Sequence, residues 1–394
     1  MSGSAPTAKL ADIAELNPPL AASLSDGDDV SFLPMAAVDA DSVTAVDRET
    51  RSYSEVSKGY TPFLDGDVLV AKITPCFENG KIAQARLSRR YGFGSTEFHV
   101  VRARGSRVDT RYLVHFLRQE RIRKQGESRM TGSAGQRRVP EHFLADLAIP
   151  LPPLAEQKRI AAILDKADAL RAKRRAALAQ LDTLTQSIFL DMFGDPATNP
   201  KGWPKASLDE LFEIARGGSP RPIDEYITDD PDGINWIMIG DTVEGGKYIS
   251  STRKRIRLEG ARRSRMVKPG DFLLTNSMSF GRPYIMRTSG CIHDGWLVLS
   301  PRRKDVEPNY FYALLVTPAM YAEFARRAPG VTVKNLNIDL VRGVTVPVPP
   351  LETQERFAAM VAEIEGVVAS FNRSLSELDA MFSSLQHRAF QGEL

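Results

Sequence analysis

The sequence has few of the features that mark membrane, secreted or metal-binding proteins. Its two cysteines, Cys76 and Cys291, are too few and too far apart for a disulfide framework. No apolar run approaches the roughly 18 residues of a membrane span, and Met1 to Leu20 lacks the basic-then-apolar order of a secretory signal. The five histidines show no zinc-ligand spacing. These absences predict a cytoplasmic protein without a metal site.

Catalytic motifs are also missing. Asn17-Pro18-Pro19-Leu20 resembles the Asn-Pro-Pro-aromatic loop of adenine methyltransferases, but Leu20 cannot stack on a base and no glycine-rich cofactor turn follows a strand. Gly92-Phe93-Gly94 is too short for a nucleotide-binding motif. Glu156-Gln157-Lys158 imitates the end of a nuclease motif, but no carboxylate partner lies in a strand nearby upstream. We therefore expect a chain that is not an enzyme and binds no cofactor of its own.

What the chain does have is length and a local excess of positive charge. Its 394 residues predict two or three domains. The formal net charge is only +3, but one segment holds eight basic residues against one acid. Such a segment is either a solvated face or a set of cations that replace counterions on DNA phosphates. The eight are Arg253, Lys254, Arg255, Arg257, Arg262, Arg263, Arg265 and Lys268.

The sequence repeats itself at half its own length. Residues 149–162 match residues 346–359 at an offset of 197, and Gly66-Asp67-Val68-Leu69 matches Gly270-Asp271-Phe272-Leu273 at an offset of 204. Short β-branched runs bounded by Gly, Pro and Asp predict strands in each copy. Shorter helices are predicted around residues 112–123 and 310–326. The predicted organisation is a β-rich domain over 1–153, a long helix over 154–193, a second β-rich domain over 194–349 and a second long helix over 350–394.

Apolar residues recur along both long helices in alternating steps of four and three, which is the seam of a coiled coil. The seam positions are Ile160, Leu164, Ala167, Arg171, Arg174, Leu178, Leu181, Thr185 and Ile188 in the first copy, and Phe357, Val361, Ile364, Val368, Phe371, Leu375, Leu378, Phe382 and Leu385 in the second. We expect Arg171 and Arg174 to extend to solvent or to meet an acid such as Glu363 or Glu377.

Each helix predicts a rod of roughly 50 Å at about 1.5 Å per residue. We expect the two rods to pack on one another and to hold the β-rich units a fixed distance apart. The alternative is that each helix packs only on its own unit.

Two β-rich units, each closed by Pro-Pro-Leu-x-(Glu/Thr)-Gln and a long helix, resemble the specificity subunits of Type I restriction-modification systems. The resemblance extends from about Leu10 to Phe390 and is most specific over residues 151–160; Gly217-Gly218-Ser219-Pro220 also fits the family. It implies an α+β fold, in which two pseudo-repeated α/β target-recognition domains are separated by two long antiparallel coiled-coil helices. Each domain would read one half of a bipartite double-stranded DNA target.

The resemblance also implies partners. Two methyltransferase subunits would dock on the helices, and restriction or translocase subunits would join the full complex. S-adenosylmethionine, ATP and Mg would then lie on those partners. Two other functions stay open: a coiled-coil protein-protein adaptor without DNA binding, and a self-contained methyltransferase, which the missing cofactor motif disfavours.

Loops rich in polar residues are the candidates for base contact. Gln and Asn pair with adenine edges and Arg with guanine, and the alternative is a plain loop or turn. The predicted DNA-contacting residues are Lys72, Thr74, Lys81, Ser133, Gln136, Arg137 and Arg138 in the first unit, and Arg253, Lys254, Arg255, Arg262, Arg263, Asn276, Ser279, Arg282, Thr332, Lys334 and Asn335 in the second.

Overall fold

A computed structural model describes the chain except residues 1–5, 22, 134, 244–245, 277–279 and 328–335. The chain forms two compact units. Unit 1 comprises Met1–Ala177 and Phe371–Leu394, and unit 2 comprises Leu178–Ser370. Each unit therefore contains one β-rich segment and one part of each long helix. Among the described helices, none is long and apolar enough to cross a membrane.

The β-rich segment of unit 1 combines short strands with short helices. The strands are β1 (Thr7–Lys9), β2 (Ala14–Leu16), β3 (Asp29–Leu33), β4 (Thr44–Val46), β5 (Glu49–Ser52), β6 (Thr61–Leu64), β7 (Val68–Ala71), β8 (Ile82–Arg86), β9 (Tyr91–Gly94), β10 (Phe98–Ala103) and β11 (Ala148–Pro150). The helices are α1 (Leu10–Ile13), α2 (Tyr53–Val56), α3 (Thr110–Leu117), α4 (Glu120–Ser128) and α5 (Glu141–Ala145), with a 3-10 turn at Met35–Ala37.

The first long helix, α6 (Leu154–Phe193), leads into the β-rich segment of unit 2. Its strands are β12 (Lys205–Ser207), β13 (Phe212–Arg216), β14 (Ile227–Thr228), β15 (Ile234–Ile237), β16 (Tyr248–Ile249), β17 (Lys254–Ile256), β18 (Arg265–Val267), β19 (Phe272–Thr275), β20 (Pro283–Met286), β21 (Gly290–Ile292), β22 (Trp296–Pro301) and β23 (Thr345–Pro347). Its helices are α7 (Leu208–Leu211), α8 (Leu258–Ala261), α9 (Pro308–Leu315), α10 (Pro318–Arg327) and α11 (Ile338–Arg342), with 3-10 turns at Ile223–Glu225 and Ile239–Asp241; the second long helix, α12 (Leu351–Gln391), follows.

The two units repeat one strand order, as the sequence repeat predicts. The order β2-β10-β7-β8-β4 in unit 1 returns as β13-β22-β19-β20-β16 in unit 2, and the pair β1-β11 returns as β12-β23. The order β5-β3-β9-β6 returns as β17-β15-β21-β18, with β14 added at the edge. Even the parallel pairs correspond, since β3 with β9 matches β15 with β21. Each unit is a mixed α+β fold.

One buried glutamine ties the start of each long helix to its β-rich segment. In unit 1 the Gln157 amide oxygen accepts from the Asp109 backbone N–H at 2.8 Å, and its amide nitrogen donates to the carbonyls of Pro152 and Arg107 at 2.9 and 3.2 Å. Gln354 repeats the set in unit 2, accepting from Glu307 N–H and donating to the carbonyls of Pro349 and Asp305. This is the physical role of the glutamine in the repeated Pro-Pro-Leu motif.

An aromatic contact ties the end of each long helix to a β-rich segment. Phe193 near the end of α6 packs edge-on against Tyr310 of unit 2, with ring centres 4.7 Å apart. Phe390, which is 197 positions later, packs against Tyr112 of unit 1 at 5.0 Å. Both tyrosine hydroxyls donate to the carbonyl of a proline at the end of a short strand, Pro347 and Pro150. The repeat therefore extends to the last turns of both helices.

The short helix predicted in each copy is two helices. In unit 1 the predicted span 112–123 divides between α3 and α4, where Arg118 turns its guanidinium to the carbonyls of Ser42 and Ile82 at 2.8 and 2.9 Å. In unit 2 the predicted span 310–326 divides between α9 and α10. There Thr317 accepts from Met320 N–H, and Pro318 opens the new helix. A proline at a first helical position has no N–H to leave unpaired.

The predicted seam is confirmed, and the helices pair antiparallel within each unit. In unit 2 the end of α6 meets the start of α12, where Phe189 and Phe357 pack edge-on at 5.7 Å. In unit 1 the start of α6 meets the end of α12. Buried or half-buried residues follow the predicted positions along both helices. The helix ends also pack on the β-rich segments, where Ile160 and Leu164 join a core with Tyr112.

The acid that meets the seam arginines is Asp379 rather than Glu363 or Glu377, both of which are exposed. Arg171 reaches Asp379 at 2.5 Å and the buried Asp168 at 2.7 Å. Since both acids lie beside one guanidinium, its charge is paired inside the seam.

Arg174 takes a different partner from Arg171. Its guanidinium lies 4.1 Å from the centre of the Phe371 ring, which is a cation–π contact across the two helices. Arg171 makes a second contact of this kind with Phe382 at 4.4 Å. The two arginines therefore contact aromatic side chains of the partner helix in the middle of the seam.

We expect Gln157→Leu to lower the free energy of unfolding by about 2 to 4 kcal/mol, because it removes the side-chain partner of one backbone N–H and two backbone carbonyls at a position that is 1% exposed. Urea denaturation followed by circular dichroism measures the change. Gln180→Leu is the matched control, since Gln180 is exposed on the same helix and surface changes of this kind stay within about 0.5 kcal/mol. Equal effects of the two changes would contradict the role assigned to Gln157.

Candidate nucleic-acid interface

The predicted loop of unit 1, residues 131–138, is closed by its own backbone. Thr131 and Arg138 exchange two backbone hydrogen bonds of 3.0 and 2.8 Å, and the Gln136 N–H donates to the Ser133 carbonyl at 3.1 Å. The loop also joins the strand that continues from β7, because Thr74 N–H donates to the Arg137 carbonyl. The structure therefore brings the loop and the predicted Lys72 and Thr74 to one place.

Arg138 holds this loop on the sheet. Its guanidinium donates two hydrogen bonds to the Glu97 carboxylate, at 2.9 and 2.7 Å, and a third to the Gln136 carbonyl at 3.1 Å. These donations from Arg138 hold the pKa of Glu97 below its ordinary value. The ion pair is complete above the ordinary glutamate pKa near 4.5 and is lost as the pH falls through the lowered value.

The remaining predicted residues of unit 1 differ in how far their side chains are engaged by other groups of the protein. Arg137 lies 3.9 Å from Glu78, whose other contact is the Thr74 hydroxyl at 2.6 Å. The Lys81 ammonium donates to the Met35 carbonyl at 3.2 Å. Ser133 and Gln136 are exposed, and Lys72 and Arg137 are half-buried. Ser133 and Gln136 therefore have the most open side chains of the predicted set.

The basic segment of unit 2 follows β17, α8 and β18. Both strands belong to one sheet, ordered β14-β17-β15-β21-β18, and α8 lies between them in sequence. Seven of the eight basic residues are exposed, and Arg255 is half-buried. Within the described part of the chain, none of the eight forms an ion pair with a carboxylate. Their charge is therefore free to act on an external anion.

Two members of this segment have structural contacts besides their exposure. Arg263 donates to the Tyr226 hydroxyl at 2.8 Å and lies 5.7 Å from the centre of that ring. Arg255 donates to the Pro231 carbonyl. Both guanidinium groups are held by neutral partners, so the full positive charge stays at the surface.

The predicted base-contacting turn of unit 2 is partly internal. Asn276 is 2% exposed and its amide donates to the Asp294 carbonyl at 2.8 Å, so its polar group serves the fold. Arg282 is half-buried, with its guanidinium 5.6 Å from the Tyr284 ring centre. The other residues predicted there and in the matching loop lie outside the described residues; they are Ser279, Thr332, Lys334 and Asn335.

Two stretches of the chain, residues 6–180 and 200–378, match the family described as the Type I restriction modification DNA specificity domain. The chain belongs to this family. The two matched stretches are the two copies of the repeat, each with its β-rich segment and most of its long helix. The family resemblance predicted from the Pro-Pro-Leu motifs is confirmed, and the repeated strand orders are its structural counterpart.

Individual relatives of the specificity-domain family cover this chain to different extents. The specificity subunit of the Type I restriction enzyme EcoAI of Escherichia coli is 43% identical over 152 residues, 38% of this chain and 26% of that protein. The EcoBI specificity subunit of the same organism is 27% identical over 301 residues, 67% of this chain and 62% of that protein. The chain thus spans about a quarter of the EcoAI relative.

Two solved structures share the fold. A chain from "Structural basis underlying complex assembly and conformational transition of the type I R-M system" matches with a TM-score of 0.63 and 20% identity, over 99% of this chain and 98% of that chain. The Type I restriction-modification S subunit from M. genitalium matches with a TM-score of 0.53 and 13% identity, over 98% and 96%. At such identities the likeness shows the fold alone, and it agrees with the predicted α+β class.

Sequence reasoning missed two apolar residues in the specificity-domain repeat of unit 2. Leu258 and Met266 are 55% and 56% exposed, and both lie inside the basic segment. Exposed apolar groups among cations suit contact with a thymine methyl group or a widened base step. The available signal was their position in a run of charged residues.

We expect Glu97→Gln to speed hydrogen exchange of the Thr131 and Arg138 amides several-fold at neutral pH, because the change removes the charge that holds Arg138. Exchange followed by mass spectrometry on the peptides of residues 131–138 measures it. Glu49→Gln is the control, since it removes an acid that pairs with Arg51 elsewhere in unit 1. Unchanged exchange in the Glu97 variant would show that the backbone alone closes the loop.

Proposed function

We propose that this chain is the DNA sequence-recognition subunit of a Type I restriction-modification complex, in which each β-rich segment reads one half of a bipartite, asymmetric target. The observation that supports the proposal best is the combination of one strand order with two different surfaces. Unit 1 offers the closed loop of residues 131–138, and unit 2 offers the unpaired cations of residues 253–268. Two domains that recognise different DNA half-sites need a common scaffold and different DNA-contacting surfaces.

The proposal assigns no catalysis to this chain. Two methyltransferase subunits dock on α6 and α12 and bring S-adenosylmethionine, and restriction or translocase subunits bring ATP and Mg to the full complex. The chain works beside these partners in the cytoplasm, where the host DNA lies. The adaptor function without DNA binding has no use for a surface of exposed cations that lack acidic partners in the described chain.

Methylation of the host genome tests the proposal directly. Deletion of the gene should abolish methylation of one bipartite motif, and the wild-type chain should restore it. The double variant Gln136→Ala with Arg137→Ala should restore methylation with relaxed sequence at one half of the motif only, because each lost base contact costs about 1 to 3 kcal/mol of discrimination. Sequencing that detects modified adenines measures both results.

The double variant Gln180→Ala with Gln125→Ala is the matched control, and it should restore the motif unchanged because both residues are exposed outside the loop of residues 131–138. Restoration of the unaltered motif by the loop variant would show that this loop does not take part in base recognition. Absence of any motif that depends on the gene would reject sequence recognition itself and leave the adaptor function.

A further inference from the structure

Two segments that occupy matching places in the two units carry very different charge. Residues 253–268 of unit 2 correspond to residues 48–64 of unit 1, because β17, α8 and β18 occupy the places of β5, α2 and β6. The unit 2 segment has eight basic residues and one acid, whereas the unit 1 segment has three basic residues and two acids. The same backbone segment therefore carries a strong excess of positive charge in one unit and is nearly neutral in the other.

Contacts increase this difference. In unit 1 the Arg51 guanidinium donates to the Glu49 carboxylate at 2.7 Å and lies 3.6 Å from the Phe32 ring centre. Glu49 and Glu55 are both exposed, so their carboxylates repel phosphates that approach this face. Only Arg48 and Lys58 are left without a carboxylate partner in the described chain.

In unit 2 the cations of the matching segment form no ion pair with an acid in the described chain. Glu259 is the single acid of the segment, and it forms no ion pair with the described cations. Arg253, Lys254 and Arg262 are exposed, and their side chains make no described hydrogen bond. Unpaired surface cations gain most from DNA, because each one that meets a phosphate releases condensed counterions.

We propose that the exposed cations of residues 253–268 are the sequence-independent DNA anchor of this chain. They supply most of the salt-dependent affinity, including affinity for duplexes without the target, while the matching segment of unit 1 supplies little. This inference rests on the proposed function and adds that the two units contribute unequally to the affinity for DNA. One unit attaches the chain to any duplex, and the other contributes mainly through contacts that depend on sequence.

Two triple variants with the same change in charge test the inequality. The first carries Arg253→Gln, Lys254→Gln and Arg262→Gln in unit 2, and the second carries Arg48→Gln, Arg51→Gln and Lys58→Gln in unit 1. Each full-length variant is assembled with the host's methyltransferase subunits. Fluorescence anisotropy then gives the affinity for a duplex of about 40 base pairs, roughly four turns, that lacks the target, at several salt concentrations.

The unit 2 variant should reduce the slope of log K against log salt by about 2 to 3, since each phosphate contact contributes about 0.9. The unit 1 variant should change the slope by less than about 0.5, roughly half of one contact. A charge-retaining variant, Arg253→Lys with Arg262→Lys, should keep the wild-type slope. Because the same partner subunits are present throughout, their own DNA contacts cancel in each difference.

Equal losses from the two triple variants would overturn the anchor, and so would an unchanged slope in the unit 2 variant. In both cases wild-type binding to a duplex with the methylated motif would still support the proposed function. A wild-type complex that does not prefer this duplex would instead reject the function. A thermal unfolding midpoint of each variant that matches wild type shows that a folding defect does not cause the loss.

Discussion

The fold depends on how a long helix is fixed at both ends to compact β-rich segments. At its start, one buried glutamine side chain accepts from a backbone N–H and donates to two backbone carbonyls. At its end, one phenylalanine packs on a tyrosine whose hydroxyl donates to the carbonyl of a strand proline. The loss of hydrogen bonds to a buried side chain is costly, so the glutamine position leaves little freedom of residue type. The two fixed ends decide which part of each helix belongs to which unit.

Between these fixed ends the helix pair tolerates a seam that is not uniformly apolar. Arg171 is neutralised by Asp168 and Asp379, and Arg174 lies on the ring of Phe371. A charged layer of this kind contributes little net stability, because desolvation offsets much of the attraction. Its value lies in specificity, since a one-turn slip of the helices would separate Arg171 from Asp379. The apolar ends of the seam supply stability, and the polar middle selects one register.

The sequence predicted the repeat, the two long helices and the family well, because these follow from local signals. A Pro-Pro pair stops a helix from upstream, and a heptad pattern needs no knowledge of the fold. Local signals could not predict which side chains would contact residues distant in the sequence. Nothing local showed that Arg118 would bond carbonyls near residues 42 and 82, or that Asp379 would face Arg171 in place of Glu377. Burial of Asn276 follows from the place of the Asp294 carbonyl, 18 residues later.

The candidate site shows the same division between local and distant information. The excess of charge in residues 253–268 is a property of composition, and the order of residues alone reveals it. Whether a cation is free to bind DNA depends on its neighbours in the fold, and the two units differ in this respect. Arg138 is engaged by Glu97, which is 41 positions away, whereas the cations of residues 253–268 form no ion pair with an acid in the described chain. A repeated scaffold therefore does not imply repeated function, because a reader's share of affinity depends on the charges that its own fold leaves unpaired.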